Sequence, residues 1–212
     1  SGEHGQRIAS NSTGVELRFA LKGDKAEIRI QSLAGKHSVT SFHVYRGGIQ
    51  GGWEDHEMYK HITPEEDGYV IEKSNNIELL RAVSKESGTE WDPEVIRVIF
   101  DRGSYRVIDV IGDIEVPQKE QKPSKTLLAY GSSITHGSNS LNASNNWVSI
   151  IAHRLNMDYR NLGMAGCCMM EPEMIEFIAS QGEAGNWDMA FLELGINVLL
   201  WEEDKITERV TN

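Results

Sequence analysis

The stretch Lys125-Thr-Leu-Leu-Ala-Tyr-Gly-Ser-Ser-Ile-Thr-His-Gly137 decides the fold. Thr126 to Tyr130 is a short, almost wholly apolar run, as expected of a strand covered on both faces of a parallel sheet. Gly131 then permits a tight turn that a residue with a Cβ would resist. Ser132 and Ser133 follow at that turn, and helical patterning resumes near Asn146 and Trp147. A strand, a glycine turn and a helix put a hydroxyl at the carboxyl end of a parallel strand. Open α/β sheets bind their ligands at that end, within reach of the turn's backbone N–H groups. An isolated Gly-Ser-Ser would be an ordinary polar turn.

It is not isolated. Asn161-Leu-Gly-Met-Ala-Gly166 follows a second short strand and Leu194-Gly-Ile-Asn197 a third. The three glycine turns are about 30 residues apart, the length of one βαβ step. With these blocks, and with Met170-Glu-Pro-Glu173 behind the second, the chain resembles the SGNH (GDSL-type) hydrolase family, most of all its branch with an N-terminal β-sandwich. The resemblance runs from Lys125 to about Trp201. It implies a nucleophilic Ser133, with a Gly166 N–H and the Asn197 side chain as oxyanion donors. It further implies ester hydrolysis or acyl transfer on a small carboxylic ester, with acylated carbohydrate as the substrate class. No cofactor and no metal are implied. Acyl transfer needs such a nucleophile, a base, and donors aimed at the developing oxyanion.

Two departures from the family pattern stand out. Many relatives have Gly-Asp-Ser where this chain has Gly131-Ser132-Ser133, so no acid precedes the nucleophile. The family's D-x-x-H block lies well past the third block, whereas 15 residues follow Asn197 here. The expectation is therefore a chain truncated before its catalytic histidine and nearly inactive by itself. His136, on the same turn as Ser133, reads as a rim residue rather than a base, and His153 as a packing histidine of an amphipathic helix. The rival reading is a non-catalytic module whose sandwich holds a glycan and whose hydrolase half is vestigial.

The residues before this region follow a different grammar. Val15–Ala20, Ala26–Gln31 and Ser38–Tyr45 alternate apolar and polar side chains, with Gly23-Asp24 and Gly35-Lys36 as turn signals. Alternation returns in Tyr69–Lys73, Val95–Phe100 and Arg106–Ile111. A helical stripe over Ile77–Glu86 interrupts it, with Asn75 or Asn76 as cap and Gly88 as stop. This pattern predicts an antiparallel, jelly-roll-like β-sandwich over residues 1–120. Pro117 to Ser124 is polar, carries two prolines and reads as the linker. Residues 121–212 then alternate strand and helix, which predicts a partial three-layer α/β/α domain on a parallel sheet. Its third strand, ending Phe191-Leu-Glu-Leu194, would be an edge suited to a second copy of the chain.

Composition narrows the partners. Net charge is −11, with 21 Lys and Arg against 32 Asp and Glu, and no basic run. Nucleic acid is therefore not expected as a partner. No apolar run reaches the roughly 18 residues of a membrane span. Ser1-Gly2 reads as a processing scar, and nothing in the chain assigns a compartment. Cys167 and Cys168 are adjacent and read as two reduced, buried thiols. The polar loop Glu54-Asp-His-Glu57 reads as solvated, and Trp53, Tyr45 and Tyr59 as sheet cover before a sugar platform.

Overall fold

A computed structural model describes residues 2–11, 13–33, 40–50, 59–63, 65 and 67–211. The Gly35-Lys36 turn, Trp53, the loop 54–57 and the side chain of Tyr59 lie outside the described residues. The chain divides into two units, Ser12–Ser124 and Ser1–Asn11 with Lys125–Asn212. The second begins with a helix, α1 (Gly2–Ala9), that the sequence reading does not assign.

The unit 12–124 is antiparallel. Its strands are β1 (Glu16–Ser32), β2 (Thr40–Arg46), β3 (Ile49–Gln50), β4 (Tyr59–Ile62) and β5 (Asp67–Glu72). After helix α2 (Ile77–Ser87) come β6 (Val95–Phe100) and β7 (Tyr105–Glu115). All seven are hydrogen-bonded into one sheet, and the sandwich takes the form of that sheet curled on itself. The long β1 makes the curl possible. Its first residues pair with β6, its later ones with β5, and β7 runs along most of its length. The Gly23-Asp24 turn expected from the sequence is instead a bulge inside β1. Leu21 stands opposite Ile114 and Ala26 opposite Gly112, so the strand continues against the same partner. A Cβ on Gly23 would lie 3.0 Å from that of Asp113, so this glycine serves close approach rather than chain reversal. Helix α2 has the ends read from the sequence, with Asn76 before it and Gly88 behind it in the left-handed region at φ 74°.

Phe19, Ile28, Phe42, Val98 and Phe100 fill the core of this unit. Beside it lies a buried charge cluster. Arg97 forks onto Glu16 at 2.6 and 2.8 Å and stacks 4.0 Å from the Trp91 ring centre. Arg18 reaches the same carboxylate at 2.7 Å. Tyr45 faces Arg97 as well, so its ring belongs to this cluster. Burial pushes the Glu16 carboxyl up, but the two guanidinium groups outweigh it and hold it below its ordinary 4.5.

The unit built on 125–212 is parallel. Strand β8 (Thr126–Gly131) leads through α3 (Ser133–His136) to α4 (Trp147–Arg154). Then follow β9 (Asp158–Gly163), α5 (Pro172–Glu183), β10 (Met189–Glu193) and α6 (Glu203–Thr211). The order β10-β8-β9 puts β8 in the middle, with both pairings parallel. Alternation along β8 builds two cores. Leu127 and Ala129 pack with Val148 and Ala152 of α4, while Leu128 and Tyr130 pack with Cys168 and Ile178 on the other face. Burying each of the Leu, Val and Ile side chains among these contributes roughly 1.5–3 kcal/mol. Val148 and Ala152 define the inward stripe of α4, and His153 turns to solvent, which corrects its reading as a packing residue. Among the described residues no helix is long and apolar enough to cross a membrane.

Removing Glu16 would leave Arg97 buried and unpaired, a loss of about 3–5 kcal/mol. Glu16→Ala is therefore expected to lower the unfolding transition of the 12–124 unit strongly at pH 7. The stabilisation from a depressed carboxyl is present above the unfolded value and lost as pH falls through the folded one. Calorimetry should accordingly show the gap between wild type and variant narrowing below about pH 4.5. A gap that widens on acidification would contradict the ion-pair account.

Candidate active site

The register of the parallel sheet aligns the three turns singled out in the sequence. Gly131 pairs with Gly163 on one side and with Glu193 on the other, so the carboxyl ends of all three strands lie side by side. Ser132 caps α3 by accepting the Ile134 N–H at 3.3 Å, and Ser133 is the first helical residue, half-buried. The turn ends at Gly137, in the left-handed region at φ 98°.

This turn is held by backbone contact. A Cβ on Gly163 would lie 2.1 Å from the His136 nitrogen and 2.6 Å from the Thr135 carbonyl carbon. Only glycine lets β9 pass so close beneath α3. The Thr135 carbonyl, an orphan acceptor at the end of a one-turn helix, takes the side-chain amides of Asn146 and Asn161, each at 2.8 Å. Asn146 also caps α4 through Val148, and Asn161 returns its oxygen to the Gly163 N–H at 2.8 Å. Met164 N–H donates to the Gly131 carbonyl at 2.8 Å, which ties the second turn to the first.

The third turn is tied to both. Glu193 Oε2 accepts from the Ser132 N–H at 2.7 Å, the Ser132 hydroxyl at 2.6 Å and the Thr135 hydroxyl at 3.1 Å. Asn197 Oδ1 accepts the Cys168 N–H at 3.1 Å. That partner is a donor, so it fixes the orientation of the Asn197 amide and leaves its NH₂ turned away from the second turn's backbone. Gly166 is exposed, in the left-handed region at φ 71°, and His4 of α1 approaches it, its Nε2 3.6 Å from the position of a Cβ.

Against this dense bonding, three donors stand out. Among the described residues the N–H of Ser133, the N–H of Gly166 and the amide NH₂ of Asn197 find no protein acceptor, and neither does the Ser133 hydroxyl. Gly166 is open to solvent, while Ser133 and Asn197 are half-buried, so an oxygen of a bound molecule or of water can take these donors. His136, read as a rim residue, is instead 2% exposed, with Nε2 2.6 Å from the Asn11 carbonyl. The tight seat of α3 on Gly163 carries the imidazole inward. Cys167 and Cys168 are free and buried. Burial raises both thiols above their ordinary 9.0, the Tyr130 hydroxyl drawing Cys168 partly back, so they are protonated and inert at neutral pH. Burial, with the Cys168 thiol beside it, likewise raises the Tyr130 phenol.

The sequence reading gave no individual role to Glu193, Asn161, His4 or Met170. An acid closing an otherwise apolar strand, just before Gly-x-Asn and in a chain without an acid at position 132, was the signal for Glu193. Met170 sits at φ 52°, and Arg209 reaches its carbonyl at 3.5 Å. Holding a non-glycine residue there costs about 1–3 kcal/mol, a strain often kept near functional sites.

Residues 124–211 match the model of the GDSL-like Lipase/Acylhydrolase family, which bears out over that segment the resemblance read from the sequence. No curated protein matches the chain. Among solved structures, it is similar to a GDSL-like lipase candidate from Bacteroides ovatus ATCC 8483, with TM-score 0.58 and 14% identity over 99% of this chain and 58% of that one. A salicylyl-acyltransferase from a tetracycline biosynthetic pathway gives 0.62 and 12%, over 95% of this chain and 55% of that one. An acetyl xylan esterase from the rumen bacterium Butyrivibrio proteoclasticus gives 0.52 and 17%, over 90% and 58%. The chain thus spans a little over half the length of these structures, and the likeness is one of fold.

Gly163→Ala is expected to be the most damaging single glycine change in this unit, because its Cβ meets backbone that cannot move aside. The loss should exceed about 3 kcal/mol, the upper end for ordinary overpacking. Gly185→Ala is the control. Its φ is positive, 69°, unlike that of Gly163, but nothing lies within 4 Å of its Cβ, so its cost should be about 1 kcal/mol. Equal denaturation midpoints for the two variants would refute the close-approach account.

Proposed function

We propose that this protein is a serine acylhydrolase or acyltransferase for small carboxylic esters, with Ser133 as nucleophile. The observation that carries the reading is the set of three uncommitted donors, from Ser133, Gly166 and Asn197, at neighbouring strand ends. Such donors stabilise the oxyanion of a tetrahedral intermediate, which forms as the serine oxygen adds to the ester carbonyl. Gly166 adopts the left-handed conformation that glycine takes without strain, φ 71°, and it carries no side chain beside its N–H. Acylated carbohydrate is the substrate class we favour, supported by the acetyl xylan esterase among the similar folds. A carbohydrate esterase from Clostridium thermocellum, solved with cellohexaose, has the same fold at TM-score 0.53 and 12% identity.

The serine hydroxyl is a weak nucleophile until a base takes its proton. Among the described residues no imidazole is hydrogen-bonded to Ser133, and His136 is committed to the Asn11 carbonyl. Residues 1–212 by themselves should therefore hydrolyse p-nitrophenyl acetate only slowly, with Ser133 adding to this activated ester without a base to take its proton. Ser133→Ala should remove that activity. Asn197→Ala should cut kcat by roughly 10²–10³, the usual loss for one oxyanion donor. Hydrolysis unchanged in Ser133→Ala would refute the reading and favour the non-catalytic module.

We also propose that β10 pairs with a second copy of the chain. It is hydrogen-bonded to β8 alone among the described residues, and Phe191, Leu192 and Leu194 are 40–50% exposed. A backbone edge with such side chains favours strand addition. Sedimentation at micromolar concentration should give a dimer that Leu192→Lys returns to monomer. A wild-type monomer under those conditions would overturn the pairing.

A further inference from the structure

The missing acid at position 132 has a counterpart elsewhere in the sheet. Glu193 closes β10, and its Cα is in register with Gly131. Its single oxygen Oε2 collects the Ser132 N–H, the Ser132 hydroxyl and the Thr135 hydroxyl. Gly131 is glycine to admit it: a Cβ there would lie 2.7 Å from Oε2 and 2.3 Å from the Thr135 hydroxyl oxygen. Ser132 and Thr135 are both fully buried, so their hydroxyl protons have no water to turn to. Among the described residues no Lys, Arg or His pairs with Glu193, and these neutral donors are its side chain's partners. A carboxylate accepting hydrogen bonds in this way forms stronger and more directional contacts than a neutral acceptor. The residues it grips, 132 and 135, flank Ser133 on either side.

We propose that Glu193 is the positioning residue of the nucleophile turn, the carboxylate of a Ser132–Glu193 pair that takes the place of an acid at position 132. The proposal rests on the reading of Ser133 as nucleophile for its catalytic consequence, though not for the hydrogen-bonded geometry. Gripping both sides of Ser133 fixes the direction of its N–H and hydroxyl, and so affects the acylation step more than ester binding. The pair also has a chemical logic of exchange. An aspartate at 132 would set a second anion against Glu193, where the serine now donates at 2.6 Å. With glutamine at 193, the new amide could donate to that aspartate and restore one carboxylate at the turn.

The test uses the full chain and the set Glu193→Leu, Glu193→Gln, Ser132→Asp and Ser132→Asp/Glu193→Gln. The first readout is amide hydrogen exchange by NMR, which needs no activity. Glu193→Leu should speed exchange of the Ser132 and Ile134 amides at least tenfold relative to Leu128 in β8. The second is Ser133-dependent p-nitrophenyl acetate hydrolysis at a temperature where each variant is folded. Glu193→Leu should lower kcat tenfold or more with KM within twofold, and Glu193→Gln should lose less. Ser132→Asp should be impaired, and the double variant should recover at least half of that loss. Unchanged exchange at Ser132 in Glu193→Leu overturns the proposal, whatever the activity. So does a double variant no better than Ser132→Asp. If Ser133→Ala proves to be without effect on hydrolysis, the esterase reading falls, and the exchange data alone then decide the role of Glu193.

Discussion

The passage of α3 directly over Gly163 is the constraint on which the strand-end architecture depends. It fixes the height of the β8 turn above β9 with backbone atoms, which cannot rotate out of the way as side chains can. Once that height is set, the Thr135 carbonyl is within reach of Asn146 and Asn161, and the two amides close the short helix from below. A four-residue helix has almost no stability of its own, since it completes barely one turn of hydrogen bonds. Here the tertiary contacts supply what helix propensity cannot.

The site's polar groups fall into two sets with different jobs. Ser132, Thr135, Asn146, Asn161 and Glu193 bond to one another and to backbone, and they hold the turns in place. Ser133, Gly166 and the Asn197 amide keep their donors uncommitted among the described residues. A preorganised site needs both. In the acyl transfer proposed above, donors that are already oriented would not have to be reorganised as charge develops on a bound oxygen.

Much of this was legible in the sequence because it rests on local patterns. The apolar run 126–130 demanded cover on both faces, and it received α4 on one and α5 on the other. The three glycine turns announced parallel strand ends by their spacing, and Asn76 and Gly88 marked the ends of α2. What the sequence hid depends on contacts between distant residues. Gly23-Asp24 has the composition of a hairpin turn, and only the partner β7 makes it a bulge. Helix α1 is short and mostly polar, and only its buried Gly5 and Ile8 mark a packed side. His136 looked superficial from its place on a polar turn, whereas the backbone fit at Gly163 carries it inside. Glu193 stands out as the acid closing an apolar strand, but 61 residues separate it from Ser132 and only the fold shows that they pair.

The central claim is that Ser133 presents its oxygen to a space lined by oriented donors. Titration of the chain with a short alkylboronic acid, followed by boron-11 NMR, tests it most directly, because boron becomes tetrahedral when a serine oxygen adds to it and its hydroxyls then occupy the oxyanion position. The account predicts a tetrahedral signal with the wild-type chain, a weaker one with Asn197→Ala, and none with Ser133→Ala. A tetrahedral signal that persists in Ser133→Ala, or its absence from the wild-type chain, would contradict it.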